Sequence, residues 1–202
     1  MDRQQWDERY ASSEFTWSTQ PNQFVAAELA GLPPGRALDL AAGEGRNTVW
    51  LAKRGWHVTA VDFSRVGLEK GRKLSAARGV DEDRVTWIVA DLDDYQPEPG
   101  RFDLVLIAYA QVAPDLRARL LAGAAAAVAP GGTMFVVGHD LTNLTEGAGG
   151  PQFPEVLYTP ELITAGLGDL RVLKAERVRR AVQQDGAPAA AIDTLVRAIR
   201  EV

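Results

Sequence analysis

Short apolar runs at 37–41, 58–61, 85–90, 104–108 and 134–138 alternate with helical stretches at 47–54, 65–78 and 115–129. Strands returned through helices lie parallel and need both sheet faces covered, so the alternation predicts an α/β, Rossmann-like, doubly wound sheet, mostly parallel. Gly55, Gly79 and Pro130-Gly131-Gly132 punctuate the helix ends, and Ser64 stands where an N-cap is needed. Ahead of the sheet, a short helix is followed by a second that Pro21 opens from its first turn and Gly31, Pro33 and Pro34 close. Residues 1–35 therefore read as a helical cap. After Gly138 the rhythm breaks, and 139–158 form a connection of about twenty residues, long enough in a compact domain to read as a substrate lid. A short helix at 160–165 precedes two β-compatible segments, 170–178 and 189–199, which suit an antiparallel C-terminal hairpin. With 202 residues, 46% of them apolar, the chain fits a single domain, 1–202.

In an open parallel sheet, ligands bind outside the carboxyl ends of the strands, near the point where strand order reverses. At the first such end stands Ala37-Leu-Asp-Leu-Ala-Ala-Gly-Glu-Gly-Arg-Asn47, with Gly43 and Gly45 at a strand-to-helix turn. Asp62 follows nineteen residues after Gly43, at the end of the second apolar run, where a carboxylate can accept hydrogen bonds from a ribose diol. A dinucleotide fingerprint would place a third glycine where Thr48 stands, so the helix has no need to hug a pyrophosphate. Asp39, Asp62 and Asp91 lie at or near successive strand ends around one glycine turn. Such a ring repels phosphates and welcomes an adenosine whose tail carries positive charge.

The formal charge of −5 argues against sequence-independent nucleic-acid binding, which needs a basic face. With no cysteine, disulfides, thiolate metal sites and cysteine nucleophiles are excluded, and no histidine cluster suggests a metal. Residues 1–10 lack the apolar core of a signal peptide, and no apolar run approaches the ~20 residues that cross a bilayer. A cytoplasmic protein acting on a small-molecule acceptor, without nucleic-acid or membrane partners, is expected.

Over nearly its whole length the chain resembles the class I S-adenosylmethionine-dependent methyltransferases. The resemblance rests on Leu38-Asp-Leu-Ala-Ala-Gly-Glu-Gly45, Val61-Asp-Phe-Ser64, Ala90-Asp-Leu92, Phe102-Asp-Leu-Val105 and Ala129-Pro-Gly-Gly132. Within that family, Trp6-Asp-Glu-Arg-Tyr10 and Glu44-Gly-Arg-Asn47 are similar to the small bacterial tellurite-resistance and thiopurine-methyltransferase-like enzymes. Ala41 stands where the family usually has glycine. The resemblance implies S-adenosyl-L-methionine as cofactor, with Asp39 ordering the loop near the amino-acid moiety and Ala41, Gly43 and Gly45 letting backbone approach the ligand. It further implies that Asp62 holds the ribose, Phe63 lies against the adenine, Asp91 and Leu92 bind its edge, and Ala108 faces the methionine ammonium. Arg9 is a candidate for the methionine carboxylate.

His139, at the fifth strand end beside the implied methyl group, is the candidate general base for a hydroxyl acceptor on a small polar metabolite, sugars included. Tyr109 and Glu44 are candidates to position the acceptor or tune the imidazole, beneath a lid carrying Asn143, Gly149, Gly150 and Gln152. His57, at the start of a strand, reads as structural. Phe15 and Trp17 read as packing or an aromatic flap, and Arg177, Arg179 and Arg180 as guards on an exposed edge strand. The alternatives are a thiol or chalcogen acceptor, a nicotinamide-dependent oxidoreductase, and a noncatalytic S-adenosylmethionine-binding module.

Overall fold

The computed structural model describes residues 2–184 and 186–202. Helices α1 (Arg3–Ala11) and α2 (Gln23–Leu29) precede β1 (Arg36–Leu40), α3 (Arg46–Lys53), β2 (His57–Asp62), α4 (Arg65–Ala77) and β3 (Val85–Val89). Then come β4 (Phe102–Ala108), α5 (Pro114–Ala127), β5 (Val128–His139), α6 (Asn143–Glu146), α7 (Pro160–Ala165), β6 (Arg171–Gln184) and β7 (Ala187–Ile199). The strands form one sheet in the order β3-β2-β1-β4-β5-β7-β6. β1 pairs in parallel with β2 on one side and β4 on the other, so the strand order reverses there and a crevice opens above their carboxyl ends. β7 is antiparallel to both β5 and β6, which gives the C-terminal hairpin.

Alternation along each strand divides the core between the two faces. Leu38, Leu40, Val105, Ile107, Met134 and Val136 pack with Leu120, Leu121 and Ala124 of α5. Ala37, Leu104, Leu106, Phe135 and Val137 pack with Leu51 of α3, Trp56 and Leu29 of α2. Truncating a fully buried leucine such as Leu38 or Leu106 to alanine costs about 2–5 kcal/mol in cores of this kind. Asp39 falls between Leu38 and Leu40, and so is buried on the α3 face.

Three boundaries differ from the sequence expectation. Pro21 lies outside α2, because Asn22 is the N-cap: its Oδ1 accepts from the amides of Phe24 at 2.9 Å and Val25 at 3.2 Å. β5 begins at Val128, well before the apolar run at 134–138, since Gly131 and Gly132 bend the chain without ending its pairing. A Cβ on Gly132 would sit 2.8 Å from the Ala129 carbonyl oxygen. The hairpin strands run on to Gln184 and from Ala187, because mutual pairing carries polar residues that periodicity alone would leave in a loop. The 139–158 connection also holds α6 and a 3-10 turn, Pro154–Val156.

Candidate functional site

The β1 turn is shaped by three consecutive alternate residues in the left-handed region, Ala41 (φ 60°), Gly43 (φ 55°) and Gly45 (φ 72°). Alanine at the first of them costs roughly 1–2 kcal/mol relative to an unstrained position. The amide of Gly43 donates to Asp62 Oδ2 at 2.8 Å, and the amide of Ser64 donates to Asp62 Oδ1 at 2.8 Å, so one carboxylate fastens the β1 turn to the β2 turn. Thr48, in place of a third glycine, donates its hydroxyl to Asp39 Oδ2 at 2.6 Å. A Cβ on Gly45 would meet the Trp87 indole at 2.7 Å and one on Gly43 the Tyr10 hydroxyl at 2.8 Å. These two glycines therefore admit protein aromatics, and not only a ligand.

Asp39 and Asp62 are both buried. Burial, opposed by the Thr48 hydroxyl and reinforced by the charge of Asp62, pushes the Asp39 carboxyl up to about 7. Burial likewise raises Asp62 against the bonds from Ser64 and Gly43. Two buried acids without a cationic partner in hydrogen-bond contact fit a cationic adenosine derivative, which would relieve both, and they do not fit a polyphosphate. Phe63 and Leu92 are half-buried next to this cradle's strand ends, as is Ala108 at the end of β4. Asp91, also half-buried, accepts from the Asp93 amide at 3.1 Å.

The N-terminal cap closes over the glycine turn. Glu44 accepts from the amides of Thr16 (2.9 Å) and Trp17 (3.1 Å) and pairs with Lys70 Nζ at 3.0 Å. Lys70 Nζ also donates to the carbonyls of Tyr10 and Ser13, and Ser64 Oγ donates to Asp7. The expectation that Glu44 serves the acceptor is thereby corrected: its carboxylate is taken up in tying residues 10–17 to the turn. Trp17 stacks under the Arg9 guanidinium, 4.9 Å from the ring centroid, and Phe15 faces Lys70. His57 is exposed, 3.1 Å from Arg84 Nη1.

On the other side of the crevice, the ends of β4 and β5 bring Tyr109 and His139 together, their rings edge to face at 4.9 Å. Tyr109 has φ 59°, which turns its side chain back under the cap, where its hydroxyl donates to Asp193 Oδ2 at 2.8 Å and accepts from Asn22 Nδ2 at 3.2 Å. His139 Nδ1 lies 3.3 Å from Asp193 Oδ1, off the line of a good hydrogen bond and with no other aligned partner among the described residues. Arg180 Nε donates to Asp193 Oδ2 at 2.7 Å. Burial alone would raise Asp193, yet contacts from His139, Arg180 and Tyr109 outweigh it and hold the carboxyl below its ordinary range. Burial raises the Tyr109 phenol well above its ordinary value, so it stays protonated.

Sequence reasoning missed Asp193, Arg180 and Asn22. A lone acid, Asp193, followed by Thr194 inside a largely apolar strand was the available signal for the first. The reading of the arginines as edge guards is corrected in part. β6 is the edge strand and Arg179 is exposed, but Arg180 reaches inward to Asp193 and Arg177 Nε donates to buried Asp140 at 3.0 Å.

The 139–158 segment is anchored at both ends. Asp140 accepts from the Thr142 amide at 2.8 Å and from the Thr194 hydroxyl at 2.5 Å. Asn143 Oδ1 accepts from the Ile192 amide at 2.7 Å, and its Nδ2 donates to the Gly149 carbonyl at 2.8 Å. A Cβ on Gly150 would lie 3.1 Å from His139 Nδ1, so this segment covers the imidazole. Asn143, Gly149, Gln152, Gln183 and Gln184 line a polar cavity of about 400 Å³ between the segment and the hairpin tip. A larger groove of about 1000 Å³ lies along α5 and α7, near Gly100 and Val128 at the opposite ends of the strands.

Among the described residues no group of three or more His, Cys, Asp or Glu side chains is placed to hold a metal, and no helix is long and apolar enough to cross a membrane. Residues 37–132 match a family described as a methyltransferase domain. A demethylmenaquinone methyltransferase of Clavibacter sepedonicus is 43% identical over 74 residues, 37% of this chain and 29% of that protein, so the match spans under a third of the relative's length. Two solved structures share the fold. TehB from Haemophilus influenzae superposes with a TM-score of 0.75 at 15% identity, over 96% of this chain and 67% of that one. The N-methyltransferase NodS from Bradyrhizobium japonicum WM9, in complex with S-adenosyl-L-homocysteine, gives 0.72 at 16% identity, over 97% and 96%.

Proposed function

We propose that this chain, whose residues 37–132 match a methyltransferase domain, is a class I S-adenosylmethionine-dependent methyltransferase that transfers a methyl group to a hydroxyl of a small polar metabolite, sugars included. The observation that carries the acceptor reading is the covered His139–Asp193–Tyr109 cluster at the carboxyl ends of β4 and β5. When bound, S-adenosylmethionine supplies an electrophilic methyl on a sulfonium that leaves as a neutral thioether. Asp39, Ala41, Gly43, Gly45, Asp62, Phe63, Asp91, Leu92 and Ala108 are the residues we assign to hold it. Of these, Asp39 and Asp62 contribute the negative potential that suits its charge.

The chain's own task is to align the acceptor, exclude water and remove one proton. An ionised Asp193 beside Nδ1 favours the tautomer with the proton there, which leaves Nε2 of His139 to take the acceptor's hydroxyl proton as the new oxygen–carbon bond forms. Tyr109 and Arg180 fix Asp193, and through it the imidazole; they are positioning residues. Residues 139–158 shield the site from solvent.

His139→Ala is expected to lower kcat on an alcohol acceptor by about 10²–10⁴ while S-adenosylhomocysteine still binds in calorimetry. A soft acceptor, a thiol or chalcogen, needs little base catalysis, so turnover retained in this variant favours that second reading. Tight cofactor binding without turnover on any fractionated metabolite pool would instead indicate a noncatalytic binding module.

A further inference from the structure

Asn22 does two jobs with one buried side chain. Its Oδ1 accepts from the amides of Phe24 at 2.9 Å and Val25 at 3.2 Å and so caps α2, while its Nδ2 donates to the Tyr109 hydroxyl at 3.2 Å. Its own amide donates to Asn47 Oδ1 at 2.9 Å, so α3 fixes it as well. The cap settles which way the carboxamide faces, because the flipped group would set Nδ2 against two backbone donors. Capping alone does not ask for an amide. An acid caps α1 (Asp2), and hydroxyls cap α4 (Ser64) and α7 (Thr159). What asparagine adds at α2 is a donor directed at Tyr109.

That donor fixes the direction of the hydrogen bonds beyond it. A phenol has one proton, and burial keeps Tyr109 protonated. Since Nδ2 can only donate, the Tyr109 oxygen accepts from it, and the phenol proton goes to Asp193 Oδ2 at 2.8 Å. Arg180 Nε donates to the same oxygen at 2.7 Å, which leaves Asp193 Oδ1 to His139 Nδ1 at 3.3 Å and, at the margin, to Arg180 Nη2 at 3.5 Å. The bonds from α2 thus all run toward Asp193, and a hydroxyl that accepts one bond donates the next more strongly.

We propose that Asn22 is a positioning residue of the acceptor site: as a donor that cannot accept, it commits the Tyr109 proton to Asp193, and through that carboxylate keeps the His139 proton on Nδ1 and Nε2 open to the acceptor. The role rests on the reading of His139 as the base and extends the machinery from the sheet to the N-terminal cap. An aspartate at position 22 would cap α2 equally well, yet it would offer Tyr109 a second carboxylate in competition with Asp193 for one proton.

The test needs no acceptor. The chain has two histidines, His57 and His139, so a two-bond nitrogen–proton NMR spectrum of the full chain, labelled at histidine nitrogen and saturated with S-adenosylhomocysteine, reads the imidazole tautomer, with His57→Gln for assignment. At a pH where the ring is neutral, wild-type His139 is expected to carry its proton on Nδ1. Asn22→Asp should move that Nδ1–H resonance downfield, because Asp193, losing the Tyr109 proton, draws harder on the donors left to it. Tyr109→Phe should move it the same way. Asn22→Ser, which caps α2 but faces Tyr109 with nothing, should fall between wild type and Asn22→Asp, and in the Tyr109→Phe background it should add no further shift. Both replacements are capping residues, so thermal melting should show the fold retained. Should the introduced charge unfold the chain, the serine and phenylalanine variants carry the comparison alone. Resonances that stay at wild-type positions in both Asn22 variants, while Tyr109→Phe moves them, would overturn the proposal and leave Asn22 as a cap only. A serine effect that persists undiminished in the Tyr109→Phe background would overturn it too, since the influence would not run through the phenol. A wild-type ring with its proton on Nε2 would overturn both the proposal and the base reading beneath it.

Discussion

The two halves of the crevice treat the same side chain in opposite ways. At the ends of β1 and β2, Asp39 and Asp62 are buried with neutral donors only, and both are held above the ordinary carboxylate range. Just after β5 and midway along β7, Asp140 and Asp193 are also buried, yet both lie below it, because Thr194, Thr142 and Arg177 around the first, and His139, Arg180 and Tyr109 around the second, outweigh their desolvation. Burial alone therefore does not decide the charge state; the partner does. The first half is an electronegative cradle left open to a cation, and the second is a closed ionic network that orients a base.

Breaking the network should have the largest effect. Asp193→Ala removes the partner of Arg180, the Tyr109 hydroxyl and His139 together. A buried pair broken on one side costs about 3 kcal/mol or more, visible as a lower urea midpoint. The loss of kcat should approach that of His139→Ala, and Asp193→Asn, which keeps the shape and one acceptor oxygen, should recover more of the stability than of the activity. Equal recovery of both would mean that Asp193 only packs.

The contrast also predicts how stability of the ligand-free protein depends on pH. Asp39 has its folded value raised from 3.8 to about 7, so the folded state binds more protons than the unfolded one between those limits. Its contribution therefore falls as pH rises from about 4 to about 7. Asp140 and Asp193 are depressed, so what they contribute is complete above their unfolded values, near pH 4, and is lost as pH falls below them. The ligand-free chain should thus be most stable near pH 4–5, and Asp39→Asn should flatten the slope between pH 4 and 7 without touching the acid limb. Urea titrations across that range check both limbs. A slope unchanged in Asp39→Asn would show that the cradle acid is already neutralised by other means.

The same division explains what could be read from the chain beforehand. Gly43, Gly45 and Asp62 are local, lying in a strand-turn-helix unit and its successor, so spacing alone places them and the parallel order around them. The network has no such spacing. Asp193 meets His139 only because the antiparallel register of β5 and β7 puts them opposite each other, and Asn22 joins from the cap across the sheet. Arg177, Arg179 and Arg180 look alike in sequence; the pleat sends Arg180 to the face of Asp193, while Arg177 and Arg179 share the other face and only Arg177, opposite Thr194, lies beside Asp140. Glu44 is the converse case. Its place between the two glycines suggests a ligand, while Lys70 and the amides of Thr16 and Trp17, more than twenty residues away, claim it.

The smallest effect tests the cradle half by itself. Ala41 sits at φ 60°, where an L-residue pays roughly 1–2 kcal/mol and glycine pays nothing for sterics. Ala41→Gly removes that strain but gives the unfolded chain more freedom, worth about 0.4–1 kcal/mol in the other direction. The balance is a gain of about 0.5–1 kcal/mol, or roughly 1–4 °C in melting temperature for a chain of this size. Because the substitution touches no side chain of the network but lies in the cofactor cradle, any functional change should appear in the affinity for S-adenosylhomocysteine and not in kcat. A variant less stable than wild type would mean that the alanine methyl makes packing contacts worth more than its backbone strain, since Ala41 does pack against the core beside β1.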